Sequence, residues 1–329
     1  MGSKVIKWSL RAVILVVIVC CVAVILMMQP TFESAQRLDY SQLASAARLQ
    51  ASVKTLSHDI PRETGVTSQL DSARDYIYRQ LSEYVKDVEL QSYEHEGQTF
   101  HNVIAKIKEG KGCPRIVFGA HYDAYKGLPG ADDNASGVAA LLELARLLSQ
   151  PEVSDKINCS VELVAYANEE PPFFRTEGMG SYVHAKGLKE GNAQVQVMIS
   201  LETMGFFSDE EGSQLYPVAF LEYLYPGKGN FITVVGNVGQ IMPTRELKSA
   251  MQSVMDTQVY SINAPLSVPG IDYSDHRNYW AFGYPAVMVT DTAFNRNLNY
   301  HTADDTYEKL DYQRMAEVVN GLLHFVASQ

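Results

Sequence analysis

The apolar positions along this chain fall into three regimes. Ala12 to Met28 is an unbroken run of 17 apolar residues. With Trp8 and Leu10 it reaches the length of a bilayer-spanning helix, roughly 20 residues. Leu43 to Leu56 and Gln69 to Tyr84 then show helical spacing, separated by the breaker Pro61-Arg-Glu-Thr-Gly65. Val88–Tyr93 and Thr99–Ile107 read as two strands joined around Glu96-Gly97. After residue 113 short apolar runs alternate with amphipathic stretches. The runs Ile116–Ala120, Val161–Ala167, Val195–Leu201, Phe231–Val235 and Ala286–Thr290 predict strands. Ser136–Leu148, Glu177–Lys186, Arg245–Val254 and Tyr312–Phe325 predict helices, the first with Val138, Leu141, Leu142, Ala145 and Leu148 on one face. Strand–helix alternation predicts an α/β domain with a mostly parallel, mixed central sheet flanked by helices. With no internal repeat, residues 41–329 read as one domain.

Charge orients the N-terminal run. Lys4, Lys7 and Arg11 lie on its N-terminal side, and residues 1–31 contain no acid. The positive-inside bias therefore predicts a cytoplasmic N-terminus (1–11), a transmembrane anchor (12–29), a linker (30–40) and a catalytic domain (41–329) outside the cytoplasmic membrane, periplasmic or extracellular. A cleaved signal peptide is the competing reading. Its apolar region is about 7–15 residues and ends in small residues, whereas this run ends in Met27-Met28-Gln29-Pro30. The net charge of −11, concentrated beyond residue 31, excludes nucleic acid as the main partner. Four cysteines are too few for a disulfide framework. Cys20 and Cys21 lie in the apolar run, while Cys113 and Cys159 each precede a predicted strand and could pair if those strands are neighbours. Without a CxxC or Cys–His pattern, any metal must be held by histidine and carboxylate.

Such residues recur at predicted strand ends. His121-Tyr-Asp123 closes the Ile116 run, and Asp133-Asn-Ala-Ser-Gly137 follows in a glycine-bearing loop that leads into a helix. Glu169-Glu170, Glu202 and His301 come later, each after an apolar run or within a tight loop. Taken singly, each has a structural explanation: a hydrogen-bonded histidine, a helix cap, a solvated loop. Together they gather where parallel sheets place ligand sites, beyond the C-terminal strand ends.

The segments His121-Tyr-Asp123, Ala131-Asp-Asp-Asn-Ala-Ser-Gly137, Asn168-Glu-Glu170, Leu201-Glu-Thr-Met-Gly205, Ser274-Asp-His276 and Tyr300-His-Thr-Ala-Asp-Asp-Thr306 resemble the co-catalytic di-zinc aminopeptidase family. That family includes bacterial leucine aminopeptidases, glutamate carboxypeptidases and, more distantly, glutaminyl cyclases. The resemblance implies two Zn2+ per chain. His121 and Glu202 would hold one, Glu170 and His301 the other, and Asp133 would bridge them. It further implies Glu169 as general base, Asp123 as the hydrogen-bonding partner of His121, Tyr300 directed at the scissile carbonyl, and a cis peptide after Asp133. Two features depart from it. Glu202 stands where many relatives have Asp, and Pro171-Pro-Phe-Phe-Arg-Thr-Glu177 replaces glycine-rich sequence. That segment, with Phe206 and Phe207, is a candidate pocket lining. Arg175 and Arg296 are candidate partners for a substrate carboxylate, and Asp275-His276 a supporting element near the site.

The expected function is a membrane-anchored zinc exopeptidase, foremost an aminopeptidase, acting on peptides. A carboxypeptidase or dipeptidase of the same family is the first alternative. A glutaminyl cyclase, a single-zinc acyl transferase, is the second; it has no need of the His121 half-site. A non-catalytic receptor would be expected to have lost ligands, and here all five are present.

Overall fold

The computed structural model describes residues 2–28, 43–108 and 114–329, with the side chains of residues 7–25 in the first segment. The expected linker and Cys113 lie outside the described residues. Cys159, buried just before a strand, is disulfide-bonded.

Helix α1 spans Gly2–Met28, so it begins well before the apolar run and takes in the basic residues. Its stretch Lys7–Ile25 is long and apolar enough to cross a membrane, and its side chains are exposed. The domain continues with α2 (Ala46–Lys54), α3 (Thr67–Ser82), β1 (Asp87–His95), β2 (Gln98–Lys108), β3 (Arg115–His121), α4 (Gly137–Leu148), α5 (Pro151–Ser154) and β4 (Val161–Tyr166). After these come α6 (Gly180–Glu190), β5 (Val195–Glu202), β6 (Phe231–Asn237), α7 (Ile241–Gln252), β7 (Gln258–Ala264), α8 (His276–Ala281), β8 (Ala286–Thr290) and α9 (Tyr312–Ala327).

The eight strands form one sheet in the order β1-β2-β4-β3-β5-β8-β6-β7. β4, β3, β5 and β8 are mutually parallel, so their C-terminal ends share one edge. β6 runs antiparallel to β8. The cause is the connection before it. Residues 203–230 contain no α-helix to carry the chain back across the sheet, only a 3-10 turn at Ala219–Tyr223, so β6 starts from the edge where β5 ended. β7 has no counterpart among the sequence-predicted strands. Ser261 and Asn263 interrupt its apolar signal, although both are buried, with Asn263 donating to Thr244 Oγ1 at 3.0 Å.

The sheet's two faces are covered differently. One packs against α2, α3, α4, α7 and α9 through a continuous core that includes Phe118, Ile199, Val234, Val289 and Leu322. On the other face α6 and α8 cover the sheet from β2 to the start of β8, around Ile104, Val117, Val164, Met198, Tyr279 and Ala286. Over β6, β7 and the later part of β8 that face is roofed instead by irregular segments carrying Leu221, Tyr225 and Ile271. The incomplete helical cover leaves a cavity there.

Candidate metal centre

His121 is the last residue of β3 and Glu202 the last of β5. Gly119 and Ser200 are register partners on these neighbouring strands, so the two ligand candidates leave the sheet side by side. Asp133 stands between them and a second pair. Its Oδ1 lies 3.2 Å from His121 Nε2, which is itself 3.5 Å from Glu202 Oε2. Its Oδ2 lies 2.9 Å from His301 Nε2, which is 3.0 Å from Glu170 Oε1. The cluster is thus two triads, His121–Asp133–Glu202 and Asp133–Glu170–His301, sharing one carboxylate. The backbone loop that presents Asp133 includes a cis peptide to Asn134.

The donor set fits a metal. His121 Nε2 and Asp133 Oδ2 are buried without a well-formed hydrogen bond, though each lies within 2.9–3.5 Å of other candidate donor atoms of the cluster. Tetrahedral N/O ligands at zinc's bond lengths stand about 3.4 Å apart, close to the separations here.

Asp123 ties the centre together. Its Oδ1 is 3.4 Å from His121 Nδ1 and accepts from Glu169 N at 3.0 Å. Its Oδ2 accepts from Glu170 N at 3.1 Å and from Thr64 Oγ1 at 2.8 Å. One carboxylate therefore fixes a candidate ligand histidine and the backbone of the Glu169-Glu170 pair. Asn168, just before that pair, has φ +60°, and Gly65 N donates to its side-chain oxygen. Glu169 Oε2 lies 4.0 Å from His121 Nε2, on the His121 side of the cluster.

Several supports carry no motif in the sequence. Arg62, fully buried, donates to the carbonyls of Leu56, Tyr122, Asp123, Pro129 and Gly130, clamping the loops that hold Asp123 and Asp133. Asp305 accepts from the backbone N–H groups of Asp132 and Asp133. Asn134 donates to Leu201 O and accepts from Thr203 N, fastening the Asp133 loop to the end of β5. Ser274 Oγ donates to Glu202 Oε2 at 2.7 Å. His301, at φ +56°, is stacked against Tyr300 (centroids 3.9 Å apart) and Tyr125 (4.2 Å). Two rings that close cannot share one face, so the imidazole is sandwiched. Tyr125 offers only a nearby aromatic as sequence signal; a heptad or strand pattern does not reveal it.

The charges shape the titration. Burial opposes a proton on His121, but the Glu202 charge and the contacts with Asp123 and Asp133 hold its pKa well above the ordinary imidazole value. Burial likewise opposes His301, and Asp133 and Glu170 push it up to about 10. Asp133 is held far below the usual carboxylate range by the two histidines, against its burial. Burial, then the Asp133 charge, raises Glu170 to about 8. Glu169 is raised well above normal, chiefly by burial and then by its acidic neighbours. Burial and the same carboxylates raise Tyr300, so its hydroxyl keeps its proton.

Other sequence candidates are placed differently. Arg175 makes a two-oxygen contact with Asp272 at 2.9 and 3.0 Å. Arg296 is buried, donating to Gln214 Oε1 and to the carbonyls of Phe206 and Phe231. Neither is disposed toward a substrate carboxylate. Phe207 packs beneath Arg296 and Arg314, and Phe206 against the core, so neither lines the cavity. Asp275 is buried behind the cluster and raised to about 7 by desolvation, while His276 bonds Ile271 O.

Residues 102–326 match the model of peptidase family M28. The chain belongs to that family. It is 44% identical over 289 residues to the uncharacterized protein YfbL of Escherichia coli K12, covering 85% of this chain and 87% of that one. It is 26% identical to leucine aminopeptidase 1 of Ajellomyces dermatitidis, covering 80% of this chain and 66% of the relative. Among solved structures, BSAP, a zinc aminopeptidase from Bacillus subtilis, superposes with a TM-score of 0.66 at 15% identity, covering 88% of this chain and 96% of that one. A glutaminyl cyclase from Porphyromonas gingivalis gives 0.62 at 19%, covering 88% and 100%. At these identities the last two show the fold. The family makes this M28 chain a metallopeptidase relative with zinc as its implied metal.

Proposed function

We propose that this chain is a membrane-anchored zinc aminopeptidase with two Zn2+, its N-terminus cytoplasmic and its domain on the outer side. The observation that carries the reading is the position of Asp133, one oxygen toward His121–Glu202 and the other toward His301–Glu170. Zinc held by these residues would acidify the attacking water and polarise the scissile carbonyl.

The chain's own residues supply the rest. Glu169 takes a proton from the attacking water on a carboxylate oxygen and delivers it to the leaving amine nitrogen. Tyr300, protonated, donates toward the carbonyl oxygen as negative charge develops there. Asp123 keeps His121 and the Glu169 backbone in place throughout.

Selectivity comes from the cavity of about 110 Å³ beside the cluster. Glu202 and Tyr300 stand at one end, and its walls are apolar side chains such as Leu221, Tyr225, Val235, Ile262 and Met288. A large apolar side chain would fill it, with the substrate's α-amine among Glu169, Glu170 and Glu202. The engagement of Arg175 and Arg296 elsewhere favours recognition of the amino end over the carboxyl end.

The test uses the full chain in detergent with zinc. Peptides beginning with leucine or phenylalanine should be cleaved, with N-acetylated or aspartate-led counterparts slower by at least about 100-fold. Equal turnover of blocked peptides would reject the aminopeptidase assignment, and cyclisation of N-terminal glutamine without hydrolysis would replace it with a glutaminyl cyclase.

A further inference from the structure

Six large exposed apolar side chains of this domain cluster around one opening. Leu215 (55% exposed), Phe220 (55%), Tyr223 (85%), Tyr273 (41%), Phe294 (41%) and Leu298 (83%) come from three separate segments. Contacts bring those segments together. Leu215 N donates to Asn295 O at 2.8 Å, and the Tyr273 and Phe294 rings are 6.2 Å apart. Phe294 lies 5.6 Å from Tyr300, and Leu221 reaches into the cavity from the turn that exposes Phe220 and Tyr223. The patch therefore rims the mouth of the apolar cavity. Beyond α1, the other exposed large apolar residues among those described are Leu43, Tyr78 on α3, Leu90 on β1, Val218, Val238, Met242 on α7 and Leu266. A contiguous patch of this kind marks an interaction surface.

We infer that this rim rests in the interfacial layer of the bilayer that α1 spans, so that the cavity opens at the membrane surface. The inference rests on the reading of α1 as an anchor. Residues 29–42 separate α1 from the domain and reach at most about 50 Å when fully extended, which confines the domain to the neighbourhood of the bilayer. Although α2 packs on the opposite face of the sheet from the rim, the chain enters the domain at the edge where β5 ends, and from that edge residues 203–230 lead to the rim. Ala46 and Ala47 share a surface hollow with Asp311 and Gln313, Asp311 N donates to Gly205 O, and Arg314 pairs with Asp209. Residues 203–230, which begin there, carry Leu215, Phe220 and Tyr223. The rim combines tyrosine, phenylalanine and leucine, side chains that favour the headgroup–acyl boundary. Asp209, Glu210, Glu211 and Glu222 in the same segment match a neutral lipid surface better than an anionic one. Peptides with apolar ends, which concentrate in that layer, would meet the cavity where they partition.

The experiment uses the full-length chain in phosphatidylcholine nanodiscs, with Cys20→Ala and Cys21→Ala. Single nitroxide labels are attached at Tyr223→Cys, Leu298→Cys, Met242→Cys or Val17→Cys. Collision rates with oxygen, which favours lipid, and with a water-soluble nickel chelate are compared. The expected result is an oxygen-to-nickel ratio at positions 223 and 298 several-fold above that at 242, with Val17 highest. A lipid signal at Val17 while 223 and 298 behave as 242 overturns the interfacial rim alone. Water exposure at all four positions overturns both the rim and the anchor. A dimer covering the rim would shield 223 and 298 from both reagents, and this too overturns the inference.

Discussion

The two halves of the carboxylate–histidine cluster share Asp133 but are built in different ways. The His121–Glu202 half stands on the ends of adjacent parallel strands, with side-chain exposures of 0% and 9%. The His301–Glu170 half comes from loops, and its histidine is 24% exposed at a left-handed backbone position. Sheet register fixes the first half. The second is assembled from accessories: the Tyr125–His301–Tyr300 stack and the Asp123 bonds to the Glu170 backbone. The difference separates a rigid half from one whose geometry depends on its neighbours. It also predicts which half is easier to disturb.

The largest effect should follow from removing what the halves share. Asp133→Asn weakens both triads, and we expect zinc content to fall toward zero and turnover to fall below detection. Retention of both ions would show that Asp133 does not bridge. Next in size, His301→Ala should leave about one zinc per chain, on the His121–Glu202 side, with turnover reduced at least about 100-fold. His121→Ala should also lower the apparent melting temperature, because it opens a void at a fully buried strand end. Equal melting shifts for the two variants would erase the distinction between the halves.

This asymmetry explains what the sequence made legible. His121, Glu202 and the Glu169-Glu170 pair were readable because each closes an apolar run whose strand character is plain. The parallel core of the sheet was readable for the same reason. The reversal of β6 was not, because it depends on a helix-free connection whose path no periodicity encodes. Arg62, Thr64 and Tyr125 were invisible as site residues: each acts by meeting segments distant in sequence, and alone reads as a loop cation, a turn hydroxyl or a stray aromatic. Arg175 and Arg296 show the converse error, since a cation near a motif says nothing about the carboxylate or carbonyl already holding it.

Two smaller effects sharpen the comparison. In the metal-free protein His301 carries a proton up to about pH 10 and His121 is likewise raised, while Glu170 is protonated below about pH 8. Zinc must displace these protons, so uptake at pH 7 should release about two or more per chain, and affinity should fall as pH drops from 8 to 6. Calorimetry in buffers of different ionisation enthalpy measures that number; no proton release would contradict the assigned ligands. Tyr125→Ala removes one wall of the His301 sandwich without touching a ligand. We expect the more weakly held zinc to loosen by about 10-fold, with turnover restored by excess zinc.

The most direct test pairs metal content with turnover in the wild type and Glu169→Gln. Two zinc ions per chain in both proteins, with cleavage of a leucine-led peptide reduced about 100- to 10,000-fold in the variant, is the predicted result. Undiminished turnover in Glu169→Gln, or a single zinc in an active wild type, would contradict a two-zinc centre served by Glu169.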